Sequence, residues 1–398
     1  DRPQSVSLQQ LVHSWFLVRF WRRDEPQLNQ KLMSNLSSRI LAHFAKIDIL
    51  FRRLIFWNAS AIKTSGAAQV SAMTTSQVNE SVFIGIDLGG ITLKGSLVAA
   101  TGEIINETRI ETEQRNANAL FGQLTEAALA LRDDKRAEGR VVAGIGVGIP
   151  GLVNRKTNRI EVMPNLPGFS EIDIKTELTK ATGLPVILDN DANAAAYGEL
   201  QVGAARGKRE VFFVSLGTGI GAGLIINGKI YRGAGGFAGE FGHMTIDPEG
   251  IECACGNIGC LETIASGPNI VRRTRERLYR DRTSSLSRLG IPRDREFTAE
   301  DIAHAARDGD EMAQVMMERT GMFLGIALAA VINLLNVEMV VMGGGVMEAG
   351  DLILKPTIKE TRRRAFPPSF NSCEIVIAKL GATAGMIGAA LIARDQAS

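Results

Sequence analysis

The stretch Val82-Phe-Ile-Gly-Ile-Asp-Leu-Gly-Gly90 is an apolar run that enters a glycine turn, and Leu93 to Ala99 continues it as a second apolar run. The pattern returns later in the chain. Val211 to Ser215 enters the turn Leu216-Gly-Thr-Gly-Ile-Gly221, and Ala222 to Ile226 follows. Short apolar runs bounded by glycine turns are typical of buried strands. The sequence therefore predicts two similar halves, each begun by a strand, a glycine turn and a strand.

Strand and helix patterns alternate around these two stretches. Further predicted strands are Gly102–Thr112, Val141–Val147, Val186–Leu188, Val337–Met342 and Glu374–Ala378. Predicted helices are Asn118–Arg136, a helix that begins at the capping box Thr298-Ala-Glu-Asp301, and Ala382–Arg394. This alternation predicts two α/β domains around a cleft. We expect a smaller domain at residues 81–190, completed by the C-terminal helix within 382–398, and a larger one at residues 191–381.

Residues 1–80 differ from the rest of the chain. They are rich in arginine and tryptophan and show no sustained helical or strand periodicity. We interpret them as an N-terminal extension that is disordered or lies upstream of the natural start, which we place at Met73. A transit peptide is the alternative, because the segment is arginine-rich and poor in acidic residues.

Composition narrows the function classes. The formal net charge is +2 over 398 residues, so neither a nucleic-acid surface nor an acidic tail is indicated. The longest apolar run, Phe323 to Val337, is too short and too polar for a membrane span and predicts a core helix. The chain has only four cysteines, three of them at one place, which favours the cytoplasm. We expect no nucleic-acid and no membrane partner.

Those three cysteines form the pattern Cys253-Ala-Cys255-Gly-Asn-Ile-Gly-Cys260, with His243 ten residues upstream. Three thiolates and one imidazole at this spacing are typical of a closed tetrahedral zinc site. The alternatives are buried free cysteines or a disulfide. A disulfide is unusual in a chain without a secretory signal.

Other motifs point to phosphate binding and to acid–base chemistry. The turns Asp87-Leu-Gly-Gly90 and Gly217-Thr-Gly219, with Gly343-Gly-Gly345 later, let backbone N–H groups approach an anion closely, although tight hairpins also need glycine for steric reasons. Their spacing matches neither the P-loop nor the dinucleotide fingerprint. Asp189-Asn-Asp191 ends an apolar strand, where a carboxylate can take a proton from a hydroxyl. The alternative is that Asp189 or Asp191 only caps the next helix.

Together these motifs resemble the ROK family of sugar kinases and repressors. The resemblance rests on Asp87-Leu-Gly-Gly90, Asn165-Leu-Pro-Gly-Phe, Asn190-Asp-Ala-Asn193, Leu216-Gly-Thr-Gly-Ile-Gly221, Gly239-Glu-Phe-Gly-His243 and the cysteine run that ends at Glu262. It covers about Val82 to Ile392. It implies a two-domain actin-like ATPase fold, a duplicated ribonuclease H-like α/β fold with an interdomain cleft. Within the family the chain is most similar to zinc-containing bacterial glucokinases.

The resemblance also implies roles for residues. Asp191 would be the general base that takes the proton from the sugar 6-hydroxyl. The residues that would hold the sugar are Asn165, Asn190, Glu240, His243 and Glu262. Those that would bind ATP are Asp87, Gly89, Gly90, Lys94, Gly217, Thr218, Gly219, Gly343, Gly344 and Gly345. The metal ligands would be His243, Cys253, Cys255 and Cys260, holding a structural zinc that fixes the sugar-binding loop.

The implied function is ATP-dependent phosphorylation of a hexose with Mg²⁺, glucose being the first choice of sugar and the assembly a homodimer or homotetramer. N-acetylhexosamine or fructose kinases and a sugar-responsive repressor are alternatives, as is polyphosphate as the donor. One departure from the family pattern concerns the first glycine turn, where Ile91 stands in place of the expected threonine and Thr92 follows. We expect this change to weaken phosphate binding there.

Overall fold

The structure is a computed structural model that describes residues 81–154, 157, 159–163, 168–280, 283–287 and 297–396. The predictions for residues 1–80 and for Asn165 lie outside the described residues. The strands are β1 Ser81–Leu88, β2 Thr92–Ala99, β3 Ile104–Glu111, β4 Val141–Ile149, β5 Leu152–Asn154, β6 Arg159–Val162, β7 Val186–Asn190, β8 Val211–Leu216, β9 Ile220–Ile226, β10 Lys229–Ile230, β11 Met339–Gly343 and β12 Glu374–Ile377. The helices are α1 Ala117–Arg132, α2 Ile174–Thr182, α3 Asp191–Gln201, α4 Glu262–Ala265, α5 Gly267–Leu278, α6 Ala299–Arg307, α7 Glu311–Leu335, α8 Asp351–Arg364, α9 Pro367–Asn371 and α10 Ala384–Gln396.

Two five-stranded sheets share one strand order. The first runs β3-β2-β1-β4-β7 and the second β10-β9-β8-β11-β12. In both sheets an antiparallel meander of three strands is followed by two parallel strands. The prediction of two similar halves, made from the repeated strand and glycine turn, is confirmed. The exact domain limits stay a prediction.

Helix α10, near the end of the chain, lies directly on the first sheet. A Cβ atom on Gly85 of β1 would lie 1.8 Å from the carbonyl oxygen of Met386, and one on Gly146 of β4 would lie 1.9 Å from that of Ala389. A side chain at either position would overlap a carbonyl oxygen of α10, so the helix can lie this close only because both strand positions are glycine. Helix α3 packs against the same helix. α10 therefore packs against both the first sheet and α3, the helix that directly follows β7.

Helix α7 corrects one step of the sequence reasoning. Its 25 residues are long and apolar enough to cross a membrane by length and composition, so the argument that the run is too short was wrong. Yet 61% of its most apolar window is buried. Gly321 and Gly325 bring it against the backbone of α8, and Leu324 and Leu328 are fully buried. The prediction of a core helix is confirmed.

Helix starts follow the expected chemistry. The Thr298 hydroxyl accepts from the N–H of Asp301, and the Asp301 carboxylate accepts from the N–H of Thr298 at 2.7 Å. This capping box begins α6 as predicted.

Strand β1 runs on through Asp87 and Leu88, so the first turn begins later than the sequence suggests. Asp87 thus belongs to the sheet, opposite Lys94 of β2.

Candidate active site

Asp191 occupies the first position of α3, directly after β7. The residue before it, Asn190, caps this helix: its Oδ1 accepts hydrogen bonds from the N–H groups of Ala192 and Asn193 at 3.0 and 3.1 Å. The alternative that an aspartate caps the helix is therefore wrong. The Nδ2 of Asn190 donates to the carbonyl of Gly151 at 3.2 Å. Both polar atoms of the Asn190 side chain are thus hydrogen-bonded to backbone groups.

The electrostatic surroundings of Asp191 favour a neutral carboxyl group. Burial and the negative charges of Asp87 and, more weakly, Glu240 raise the pKa of Asp191 to about 7, although the N–H of Ala192 donates to its Oδ1 at 2.8 Å. A carboxylate whose pKa lies near neutrality has the strength that a general base needs at physiological pH.

Asp189 takes a different role. The residue is 3% exposed, and its carboxylate forms an ion pair with Arg232, whose Nε lies 2.9 Å from Oδ2. The Nδ2 of Asn193 adds a hydrogen bond to Oδ1 at 3.2 Å. A buried carboxylate needs such partners because desolvation of an unpaired charge is costly. This pair ties the loop after β10 in the second sheet to strand β7 in the first.

Asp87 lies on β1, which is separated from β7, the strand that precedes Asp191, by the single strand β4. Asp87 on β1 and Asp189 on β7 both align with Gly148 of β4, so the three positions share one edge of the sheet. The Nζ of Lys94 is 3.4 Å from Oδ2 of Asp87, and burial raises the pKa of Asp87 despite this lysine. A Cβ on Gly385 of α10 would lie 2.7 Å from the Asp87 carboxyl carbon, so the carboxylate rests against the first turn of that helix.

The first glycine turn is bonded to its surroundings. The N–H of Gly89 donates to the carbonyl of Thr92 at 3.1 Å, and the Gly89 carbonyl accepts from the Thr112 hydroxyl at 2.7 Å. Gly90 accepts from Gln114. Ile91 is 63% exposed at the tip. The turn therefore presents an apolar side chain where the family resemblance leads us to expect a hydroxyl.

The second glycine turn, Gly217–Gly219, borders a cavity of about 870 Å³. Gly217, Thr218 and Gly345 line it together with α5, α6 and Phe297. The guanidinium of Arg275 lies 5.4 Å from the Phe297 ring centre, a cation–π distance. Of the late glycines, Gly343 is buried at the end of β11, Gly344 has a φ of 88°, and only Gly345 among the three lines the cavity.

The four predicted metal ligands come together. The ligand atoms of His243, Cys253, Cys255 and Cys260 all lie within 4.8 Å of one another. The Nδ1 of His243 is 3.6 Å from the Cys253 sulfur, and the sulfurs of Cys255 and Cys260 are 3.7 Å apart. Tetrahedral zinc with Zn–S bonds of about 2.3 Å and a Zn–N bond of about 2.0 Å sets these separations at about 3.5 and about 3.8 Å. The residues fit a structural zinc, and the disulfide alternative does not fit these separations, because an S–S bond is about 2.05 Å long.

The same loop holds three of the five predicted sugar ligands, Glu240, His243 and Glu262. With its Nδ1 turned to the cysteines, His243 directs Nε2 toward Glu240, whose Oε2 is 3.9 Å away. Burial and the neighbouring Glu262 raise the pKa of Glu240, whereas His243 lowers it. Glu262 lies two residues after Cys260, at the start of α4. Glu240, His243 and Glu262 thus form one polar group beside the metal ligands, and Glu240 also acts on Asp191.

Sequence reasoning missed Arg232, Arg275 and Phe297. A buried Asp189 requires a cationic partner, but the sequence does not say which arginine supplies it, since Arg232 is 43 residues away. Arg275 and Phe297 belong to a helix and a loop with no glycine motif. Their contribution to the cavity depends on tertiary packing alone.

A sequence profile of the ROK family matches residues 83–396. The chain belongs to the ROK family. A glucokinase of Halalkalibacterium halodurans is 39% identical over 320 residues, which cover 79% of this chain and 95% of that protein. A xylose repressor of Caldicellulosiruptor bescii is 32% identical over 336 residues, covering 81% of each chain. A solved ROK glucokinase of Streptomyces griseus, in complex with glucose and AMPPNP, is 33% identical with a TM-score of 0.70, covering 79% of this chain and 99% of that one.

These relatives confirm the family and the actin-like ATPase fold of sugar kinases that the motifs predicted. The glucokinases support a sugar kinase function. Because repressors also match over most of the chain, the family alone does not fix the sugar or the reacting groups.

Proposed function

We propose that this chain is an ATP-dependent hexose kinase of the glucokinase type, which transfers the γ-phosphoryl group of ATP to the 6-hydroxyl of D-glucose. The observation that carries the proposal is Asp191, a carboxylate with a pKa of about 7 at a strand end. The negative charges of both Asp87 and Glu240 act on it. The glucokinases among the relatives favour glucose as the acceptor.

In the proposed reaction Asn165, Asn190, Glu240, His243 and Glu262 hold the sugar hydroxyls. Carboxylate, amide and imidazole groups suit this task because they accept from or donate to neighbouring hydroxyls. Asp191 takes the proton of the 6-hydroxyl while that oxygen attacks the γ-phosphorus. The bond from the γ-phosphorus to the bridging oxygen breaks, and ADP leaves with that electron pair.

The nucleotide is proposed to lie along the two glycine turns. The turns at Gly89-Gly90 and Gly217–Gly219 face the phosphates, and the 870 Å³ cavity beside Gly345 takes the adenosine. Bound Mg²⁺ would neutralise phosphate charge, with Asp87 holding it and Lys94 close by. Structural zinc at the Cys3His group would supply rigidity to the loop that carries Glu240 and His243, and four protein ligands leave no open position for chemistry.

The first experiment is a coupled assay of ADP release with glucose, on the wild type and Asp191→Ala. Phosphoryl transfer should be lost in the variant while glucose affinity, measured by calorimetry, stays near that of the wild type. Asp133→Asn, at an exposed carboxylate directly after α1, is the matched control and should keep full activity. Substantial turnover by Asp191→Ala would overturn the assignment of the base.

The choice of sugar is tested with a panel of glucose, fructose, N-acetylglucosamine and N-acetylmannosamine. We expect the highest kcat/KM with glucose. A clear preference for an N-acetylhexosamine or for fructose would leave the proposal of a kinase in place but change the proposed substrate. Polyphosphate in place of ATP tests the donor in the same assay, and we expect it to be inactive.

A sugar-responsive repressor is the second candidate, favoured by the xylose repressors among the relatives. A gel shift with DNA from upstream of the gene, with and without glucose, tests it directly. Sugar-dependent DNA binding together with no ATP-dependent turnover would replace the kinase proposal. The arrangement of Asp191, Asp87 and the glycine turns leads us to expect the opposite result.

A further inference from the structure

Glu262 touches the second glycine turn as well as the sugar-binding group. Its Oε2 accepts a hydrogen bond at 2.8 Å from the N–H of Ile220, the residue that directly follows Gly219. A Cβ atom on Gly219 would lie 2.6 Å from this oxygen, so the turn can approach the carboxylate only because residue 219 is glycine. Oε1 of Glu262 makes no hydrogen bond to the described residues, which leaves it available to a ligand.

The turn has a further close contact with the metal-binding loop, residues 239–262, and a hydrogen bond to the segment that follows it. A Cβ on Gly242, next to His243, would lie 2.3 Å from the carbonyl oxygen of Ile220. The N–H of Gly267, just after α4, donates to the carbonyl of Gly217 at 2.8 Å. The turn is closed by the N–H of Gly217, which donates to the carbonyl of Gly219 at 2.9 Å.

The metal ligands lie close to these contacts along the chain. Cys260 is two residues before Glu262, and it pairs with Thr245 across an isolated β-bridge. The Cys260 sulfur also lies 3.4 Å from the carbonyl oxygen of His243. The loop is therefore cross-linked to itself next to Glu262, and Glu262 transmits that fixed position to Ile220.

We infer that Glu262 is a positioning residue for the nucleotide, which holds the second glycine turn in its phosphate-binding shape and so links the sugar pocket to the ATP pocket. This inference rests on the kinase proposed above and adds to it a coupling between the two substrates. A sugar hydroxyl bonded to Oε1 orders the carboxylate, and the same carboxylate orders the N–H of Ile220 through Oε2. Binding of one substrate thereby lowers the cost of ordering the turn for the other.

The test measures the affinity of a non-hydrolysable ATP analogue in the absence of sugar, by calorimetry. Glu262→Ala removes the acceptor, and Glu262→Asp keeps the charge but is one methylene too short to reach Ile220. Both should weaken nucleotide binding about tenfold, which corresponds to about 1.4 kcal/mol. Glu262→Gln keeps an acceptor oxygen at the same reach and should stay within about threefold of the wild type.

Glu240→Ala is the matched control, since Glu240 belongs to the same polar group but has no contact with the turn among the described hydrogen bonds. It should weaken glucose binding and leave nucleotide affinity within about twofold. Zinc per chain is measured for every variant by atomic emission. Nucleotide affinity unchanged in Glu262→Ala and Glu262→Asp, or lowered only in preparations that have lost the metal, would overturn the inference.

The two proposals fail in different ways. Wild-type protein that binds the nucleotide but phosphorylates no hexose would sink the proposed function, while the effect of Glu262 on the turn would still be decided by nucleotide affinity. Wild-type protein that binds no nucleotide would sink both. In the wild type, glucose should raise nucleotide affinity, and Glu262→Ala should abolish this increase.

Discussion

Replacing Asp191 by asparagine should stabilise the protein, and by an amount that depends on pH. The pKa of Asp191 is raised from its ordinary value of 3.8 to about 7, mainly by burial and by the charge of Asp87. Ionising this carboxyl therefore costs about 4 kcal/mol more in the folded chain than in the unfolded chain. Asparagine has the shape of the neutral acid and avoids this cost at every pH.

The sign of the effect follows from proton binding. Below pH 4 the carboxyl is protonated in both states, and the wild type and the variant should be equally stable. Between pH 4 and pH 7 the unfolded chain gives up its proton first, so the wild type loses stability relative to the variant as pH rises. Above pH 7 both states are ionised and the difference levels off at about 4 kcal/mol.

Urea denaturation of both proteins at pH 4.5, 6 and 8 measures this difference. Comparing the two proteins at each pH removes the contribution of the other titrating groups. Asp133→Asn serves as the control, because that exposed carboxylate does not share the surroundings of Asp191. A variant no more stable than the wild type at pH 8, or one with the same advantage at pH 4.5, would refute the electrostatic reasoning. The kinase activity of the wild type should rise with pH around the same midpoint.

Three further predictions concern the turn, the helix contact and the metal. Ile91→Thr replaces an exposed apolar side chain with a hydroxyl and should lower the KM for ATP; an unchanged or higher KM would contradict it. Gly85→Ala places a methyl group 1.8 Å from the Met386 carbonyl and should cost about 3 kcal/mol of stability in urea denaturation. The control Gly122→Ala, in open space on α1, should instead stabilise by about 0.5–1 kcal/mol. Removal of zinc by a chelator should weaken glucose binding more than nucleotide binding, and added zinc should restore it; retained glucose affinity would show that the metal does not support the sugar loop.

Most of the fold could be predicted because its signals are local. The apolar runs at Val82 and Val211 each end in glycines, and this pattern alone indicates two similar sheets. Strand order was not predictable in the same way, since β4 pairs with β1 and β11 pairs with β8, strands that lie far apart in sequence. The need for glycine at positions 85 and 146 becomes visible only when α10 lies against them.

In the candidate site, too, the features with local sequence signals were predictable, and those that depend on tertiary packing were not. The metal group was predictable because its cysteines are close in sequence and their chemistry is restrictive. The partner of Asp189 was not, since an ion pair with Arg232 depends on how two sheets meet. The alternative that Asp189 or Asp191 caps the helix is wrong, because Asn190 caps it. All three residues are good caps, and only the backbone geometry chooses among them.

The contact of α10 with the first sheet has a consequence for synthesis of the protein on the ribosome. Strands β1 and β4 emerge early, but the helix that covers them ends at Gln396. The apolar face around Gly85 and Gly146 therefore stays uncovered while the whole second half is translated. Contacts of such long sequence separation form slowly and leave surface open to aggregation. The first sheet therefore gains its full cover only after residues 384–396 have been made, although its own strands end at residue 190.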